Sequence, residues 1–333
     1  MAKFILKRVL LSLVILLFVM FIIYVLMYSL PTSFIEQKAL QLSQKPGQTK
    51  TMAELIEEMQ ARYGLDKGIV GGFFTYLCSF FTGNFGDSWL YTIPVIEKFN
   101  QVIWNSFILG VVSLVAEMLI AIPLGVLAAR KQYSVTDYTV TVISLIGISL
   151  PTFFTASLLQ LFFASKNFLG WFEATGMHNA RYTYGVTDNW TYFWDAAGHY
   201  VLPALTLIIV SIGGLMRYTR TNMLEVLNSD YIRTARAKGV PENKVINKHA
   251  FRNTLIPLVT MLGGSLPGLF AGALITETLF SLQGIGFISY NAMVGGDIPF
   301  TMFYLSFMAI LTLLGNLISD ILYAVVDPRV RLE

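Results

Sequence analysis

Apolar residues along this chain gather in long runs broken by shorter polar stretches. Six runs stand out: 9–30, 105–129, 139–165, 201–216, 256–280 and 301–326. About 20 apolar residues are needed to cross roughly 30 Å of hydrocarbon as a helix. Five runs meet that length, and the fourth, shorter at its apolar core, can extend beyond its limits. Each helix satisfies its own backbone in lipid, where irregular chain cannot. The pattern predicts an all-α integral membrane protein with six transmembrane helices.

The polar stretches carry patterns of their own. In 31–100, Thr51 and Glu54 have the spacing of a capping box, and Met52, Leu55, Ile56, Met59 and Tyr63 then recur at helical spacing up to Gly64. The aromatic stretch that follows (Phe73, Phe74, Tyr76, Phe80, Phe81) is too short for a crossing and reads as an interfacial or re-entrant segment. The stretch 166–200 is rich in aromatics, among them Trp171, Phe172, Tyr182, Tyr184, Trp190, Tyr192, Phe193 and Trp194. These read first as anchors at a membrane interface.

Composition supports the membrane reading. Of 333 residues, 55% are hydrophobic and 13% charged, against about a quarter charged in soluble domains. Cys78 is the single cysteine, so no internal disulfide can form, and the three histidines (His178, His199, His249) lack metal-ligand spacing. With the N-terminus inside, the cytoplasmic stretches hold 15 of the 23 lysines and arginines. The positive-inside rule therefore places both termini in the cytoplasm. The first run is 22 residues long and no small-residue cleavage site follows it. It reads as a retained span that also targets the chain.

Catalytic signatures are missing. The sequence contains no Gly-Lys pair and hence no P-loop, and no HExxH or GxSxG motif. Gly263, Gly264, Gly268 and Gly272 include two small-xxx-small pairs suited to close helix packing. Pro267 between them predicts a kink or local unwinding that a pathway lining could use. Acids within the runs are few: Glu117, Glu277 and Asp320. Glu117 divides evenly between a pathway role and a satisfied packing role, and the other two read first as structural. Glu117, Gly264, Pro267, Gly268 and Glu277 are the pathway candidates.

The most informative stretch is 228–257, NSDYIRTARAKGVPENKVINKHAFRNTLIP. Ser229 or Asp230 can cap a short helix through Ile232, Ala235 and Arg236. Gly239 then suits a left-handed stop, and Pro241 cannot continue the helix. Pro241 and Glu242 open a second helix with Val245, Ile246, Ala250 and Phe251 on its apolar face, followed by the fifth run. A signal for topology needs only charge. A glycine corner between two small amphipathic helices suits a knob inserted into a partner's groove.

These residues resemble the cytoplasmic signature loop of bacterial ABC importer permeases, in the first-permease type of the dipeptide and oligopeptide branch. The resemblance rests on YIRTARAKGV (231–240) and HAFRNTLIP (249–257). It extends through YGLDK (63–67), GNFGDS (83–88), AIPLGVLAA (121–129), ETLFSLQGIG (277–286) and DIP (297–299). Arg233-Thr234-Ala235 stands where the general pattern has Glu-Ala-Ala, Asn84 replaces an expected aspartate, and Gln283 an expected proline.

The resemblance implies a type I ABC importer permease-like bundle in the bacterial cytoplasmic membrane, without enzymatic activity of its own. Implied partners are a homologous second permease, two cytoplasmic ATPase subunits carrying ATP and Mg, an extracytoplasmic peptide-binding protein and a peptide substrate. No nucleic acid and no cofactor on this chain are implied. The ATPase-coupling loop would comprise Tyr231, Arg233, Thr234, Ala235, Arg236, Ala237, Gly239, Val240, Pro241, His249, Arg252, Asn253 and Pro257. Expected regions are an N-terminal transmembrane helix (1–30), an extracytoplasmic region (31–100), a permease core (101–326) and a cytoplasmic tail (327–333). The alternatives are an ion- or proton-coupled carrier working alone, an ABC permease for nickel or another small solute, and a membrane-embedded hydrolase, for which no nucleophile–base pair is visible.

Overall fold

A computed structural model describes residues 2–29, 33–44 and 50–326; the expected tail at 327–333 lies outside them. In chain order the helices are α1 (Ala2–Tyr28), α2 (Ser33–Ser43), α3 (Met52–Tyr63), α4 (Gly68–Phe81), α5 (Val95–Arg130), α6 (Val135–Ser149) and α7 (Thr152–Leu159). A π-helical turn (Gln160–Ala164) follows α7. Next come α8 (Asn189–Leu227), α9 (Asp230–Ala237), α10 (Glu242–Lys244), a second π-helical stretch (Val245–Ala250), α11 (Phe251–Ala271), α12 (Leu274–Leu279), α13 (Ile285–Val294) and α14 (Ile298–Val326). The only strand-like pairing among the described residues is an isolated antiparallel bridge between Asp87 and Pro94. The all-α expectation holds.

Among the described residues, five helices are long and apolar enough to cross a membrane: Ile5–Tyr28, Val95–Arg130, Asn189–Leu227, Pro257–Leu279 and Ile298–Tyr323. The expected third span, 139–165, is not one helix. It breaks at Pro151 into Val135–Ser149 and Thr152–Ala164, bent by 101°, and counts as a sixth crossing only if the pair is one broken span. Proline disfavours helical backbone in the residue before it, and Leu150 is accordingly extended, with φ −78° and ψ 126°. The fourth span is longer than its apolar core. At 39 residues, α8 rises about 58 Å, well past the hydrocarbon thickness. It takes in Trp190, Tyr192, Phe193 and Trp194, which the sequence pattern had assigned to the preceding polar stretch.

The fold divides into two compact units, each taken here over its described residues: Met1–Val102 with Ile288–Leu314, and Ile103–Phe287 with Gly315–Glu333. The first is built on an aromatic core. Met20 and Tyr24 of α1 pack with Leu55, Met59 and Tyr63 of α3 and with Phe73, Tyr76 and Leu77 of α4. The Tyr24 hydroxyl donates to the carbonyl of Tyr63 at 3.1 Å. The capping box at Thr51 and Glu54 is present, and Gly64 closes α3 with φ 66°. Asp297, 1% exposed, accepts from the Ser88 hydroxyl, from the Leu90 amide at 3.0 Å and from the Phe300 amide at 3.2 Å. One carboxylate thereby ties the GDS and DIP segments together.

The second unit relies on close backbone approach. A Cβ added at Gly213 of α8 would lie 2.4 Å from the Ser144 carbonyl of α6, and one at Gly147 of α6 would lie 2.6 Å from the Ile209 carbonyl. α5 meets α8 in the same way at Gly125, 2.7 Å from the Met216 carbonyl. On α11 the close glycine is Gly263, whose Cβ would fall 2.8 Å from the Ser319 backbone. Of the two expected small-xxx-small pairs, Gly264 and Gly268 have nothing within 4 Å, whereas a Cβ at Gly272 would lie 2.3 Å from the Gly286 amide nitrogen. Helix α11 also runs unbroken through Pro257 and Pro267. The expected unwinding occurs instead at Gly272, with φ 77° and ψ 160°.

Candidate functional site

The basic stretch folds as a helix, a corner and a second helix, for reasons visible residue by residue. Helix α9 begins after Ser229, but neither Ser229 nor Asp230 caps it with a side chain. The Ser229 hydroxyl instead donates backward to the Val226 carbonyl at 2.6 Å. What seats α9 is Ile232, 0% exposed, packed with Met223 and Leu227 of α8, Ala129 of α5, and Val245, Ile246 and Ala250 beyond the corner. Ala235 and Val240 pack at the edge of this cluster.

The corner is a Schellman-type stop. The Gly239 amide donates to Arg236 at 2.9 Å and the Val240 amide to Ala235 at 3.2 Å, with Gly239 at φ 72°. Pro241 then starts the next helix, its carbonyl accepting from the amides of Lys244 and Val245 at 2.8 and 3.1 Å. Across the corner Arg236 grips Glu242 with two hydrogen bonds, Nε at 3.1 Å and Nη2 at 2.7 Å. The same grip holds the Glu242 carboxyl below the usual carboxylate range. Arg130, at the end of α5, donates from Nη2 to Asn243 Oδ1 at 3.1 Å.

The second helix does not stop before the fifth span. α10, the π-helical stretch and α11 form one continuous helical run from Glu242 to Ala271. Its first turns are anchored by Val245, Ile246 and Ala250, all buried. The corner is thus connected to the fifth span by helix alone. Outward from the cluster stand Tyr231, Arg233, Thr234, Arg236, Ala237, Lys238, Lys244, Lys248, Arg252 and Asn253, all exposed. His249 is half-buried, and its carbonyl accepts from the Asn253 side chain at 2.9 Å. Pro257 is half-buried within α11.

The pathway candidates are not gathered in one place. Glu117 is half-buried on α5, next to Ser211 of α8. Gly264 and Gly268 face open space, whereas Pro267 packs against Gly315 of α14. Glu277 is 1% exposed and serves as a hub. It accepts from the Ser106 hydroxyl at 2.6 Å, the Ala273 amide at 3.0 Å and the Phe287 amide at 2.8 Å. Ser106 in turn accepts from the Ile285 amide at 2.7 Å. Around this carboxylate the ETLFSLQGIG segment folds into a tight turn. Gly284 and Gly286 make room for it, since a Cβ at either would come within 2.3 or 3.0 Å of the Glu277 carboxyl group.

Sequence reasoning missed one pair altogether. Asp137, 2% exposed, takes both Nε and Nη2 of Arg220 at 2.7 and 2.8 Å, joining the start of α6 to α8. The sequence signals only the helix start here: Ser134 and Asp137 have capping-box spacing before an apolar run, and the Ser134 hydroxyl accepts from the Asp137 amide at 3.3 Å.

Among the described residues five helices, or six if the bent pair is one span, are long and apolar enough to cross a membrane, which defines a multi-pass membrane protein, and its second unit presents one braced basic corner. Residues 121–332 match the family described as binding-protein-dependent transport system inner membrane component, and residues 1–91 match that family's N-terminal membrane component. The chain belongs to this family, as an integral component of the bacterial cytoplasmic membrane.

Similar proteins include the oligopeptide transport system permease protein AppB of Bacillus subtilis strain 168, 36% identical over 332 residues, 99% of this chain and 100% of that one. The dipeptide transport system permease protein DppB of Lactococcus lactis subsp. cremoris strain MG1363 is 33% identical over 334 residues, with both chains fully covered. DppB of Escherichia coli K12 is 34% identical over 304 residues, 86% of this chain and 88% of that one.

Proposed function

We propose that this chain is one permease half of an ATP-driven importer for oligopeptides or dipeptides, coupled to a cytoplasmic ATPase through 229–250. The names of its relatives support the peptide substrate over nickel or another small solute. Family membership favours a subunit dependent on a binding protein over a gradient-driven carrier working alone. In this reading a homologous second permease completes the pathway, two ATPase subunits hold ATP and Mg, and an extracytoplasmic binding protein delivers the peptide. Glu117, Gly264 and Gly268 are proposed as pathway or inter-permease positions, because they are left partly or fully uncovered in the single chain. The region 31–100 is proposed to face outward and 101–326 to form the core.

The observation that carries the coupling role is the Gly239 corner. It is braced from within by Arg236 and Glu242 and seated by Ile232, and an unbroken helix leads from it into the fifth span. A push on the exposed side of α9 would thus reach α11 through packed side chains and continuous backbone. Gly239 offers the test. A Cβ there meets nothing within 4 Å, so substitution acts through φ alone, at about 1–2 kcal/mol for an L-residue held left-handed. Gly239→Val is expected to abolish ATP-dependent peptide uptake with membrane insertion intact, while Gly239→Asn, which tolerates this region, retains it. Normal uptake and ATPase coupling in Gly239→Val would refute the coupling role.

A further inference from the structure

Between residues 141–148 of α6 and 213–221 of α8, the second unit carries an amphipathic cleft of about 310 Å³. Its apolar wall is Leu145 and Ile148 of α6, 44% and 43% exposed. Its polar rim is Arg217, Arg220 and Thr221 of α8. Its floor is Gly213, where the missing side chain lets Ser144 and Ile148 of α6 lie directly against α8. Arg220 spends two donors on Asp137, which balances that pair. The Arg217 side chain is exposed and makes no ion pair or side-chain hydrogen bond among the described residues. The rim therefore carries one uncompensated positive charge directly above hydrocarbon-like walls.

The surroundings show where this rim lies. Tyr133, Tyr138 and Tyr218 are 74%, 59% and 40% exposed, while Val142, Ile143 and Ile146 farther along α6 are 53%, 63% and 55% exposed. Exposed tyrosines giving way to exposed aliphatics is the pattern of a membrane–water boundary. A cationic cleft between spanning helices at that depth matches an anionic headgroup, with the acyl chain lying along the apolar wall.

We infer that the α6–α8 cleft is a binding site for one anionic phospholipid. Its phosphate would sit on Arg217 and the exposed edge of Arg220, with a glycerol oxygen at Thr221 and an acyl chain against Leu145 and Ile148. This site is independent of which solute the protein transports.

The test is native mass spectrometry of the detergent-purified transporter complex equilibrated with phosphatidylglycerol or with phosphatidylcholine. One phosphatidylglycerol per chain is expected to be retained, and phosphatidylcholine is not expected to displace it. Arg217→Glu is expected to lower retention by about fivefold or more, given the contribution of one surface cation to anionic-lipid affinity. Leu145→Trp, which fills the apolar wall without altering charge, is expected to lower it as well. Both positions are exposed, and unchanged thermal unfolding would show that the variants remain folded. Equal phosphatidylglycerol retention in wild type and both variants would overturn the inference. So would equal retention of phosphatidylcholine, or efficient cross-linking of Leu145→Cys to another subunit in membranes, which would mean that protein covers this face.

Discussion

Arg236 closes on Glu242 through two nitrogens, at 3.1 and 2.7 Å, across a corner whose apex is Gly239. The two side chains are 42% and 49% exposed, so solvent screens the pair and its net worth is at most about 1 kcal/mol. Its contribution is geometric: it fixes the angle between α9 and the helix leading into the fifth span. Arg236→Ala or Glu242→Gln is therefore expected to leave thermal stability within about 1 kcal/mol, while peptide uptake at constant expression falls severalfold. Parallel melting and uptake assays check this.

The same pair predicts a pH response. Arg236 depresses the Glu242 carboxyl, so the folded corner binds this proton less readily than the unfolded chain does. The stabilisation is fully present above the unfolded carboxylate value of about 4.3 and is lost as pH falls through the lower folded value. Binding of the purified ATPase subunit should therefore show no titration from Glu242 between about pH 6 and 8. A step in that window that disappears in Glu242→Gln would contradict the assignment.

Glu277 receives three donors inside the second unit and is 1% exposed. Glu277→Ala leaves those donors unpaired, at about 1–3 kcal/mol for each buried group, and should sharply lower the melting temperature and yield. Glu277→Gln preserves shape, but its amide nitrogen cannot accept a hydrogen bond, so a smaller loss is expected. Glu117→Gln, at a half-buried position, should leave the melting temperature close to wild type. Thermal unfolding in detergent separates the three.

Glycines that look alike in the sequence should behave differently. Gly213→Val would drive a side chain into the Ser144 carbonyl at 2.4 Å and force α6 from α8, at about 1–3 kcal/mol or more for overpacking. Gly264→Ala and Gly268→Ala meet nothing within 4 Å and should leave the isolated chain's stability unchanged. Loss of assembly with the second permease in those two variants would mark their face as intersubunit. Co-purification measures it.

Much of this was legible from local pattern. Thr51–Glu54, Gly64 and Gly239 each satisfy a backbone rule spanning only a few residues, and the structure places each as that rule requires. Pro151 was the missed local signal, because a long apolar run conceals a break that hydropathy alone does not register. At Pro267 the chain stays helical, because proline does not dictate unwinding, and it leaves the helix at Gly272, where Gly286 and Glu277 crowd the backbone.

By itself, the sequence determined the helical class, the long apolar runs and the helix–corner–helix form of 228–257. These follow from burying apolar side chains and satisfying backbone groups within one helix or turn. Only the tertiary structure decided that Gly263 rather than Gly264 meets α14, that Asp137 and Arg220 join across 83 positions, and that Glu277 gathers donors from three segments. It also decided that the corner after α9 passes without interruption into α11. Which face of a helix meets a neighbour depends on the packing of distant segments, and a buried charge is fixed by partners that no local period can name.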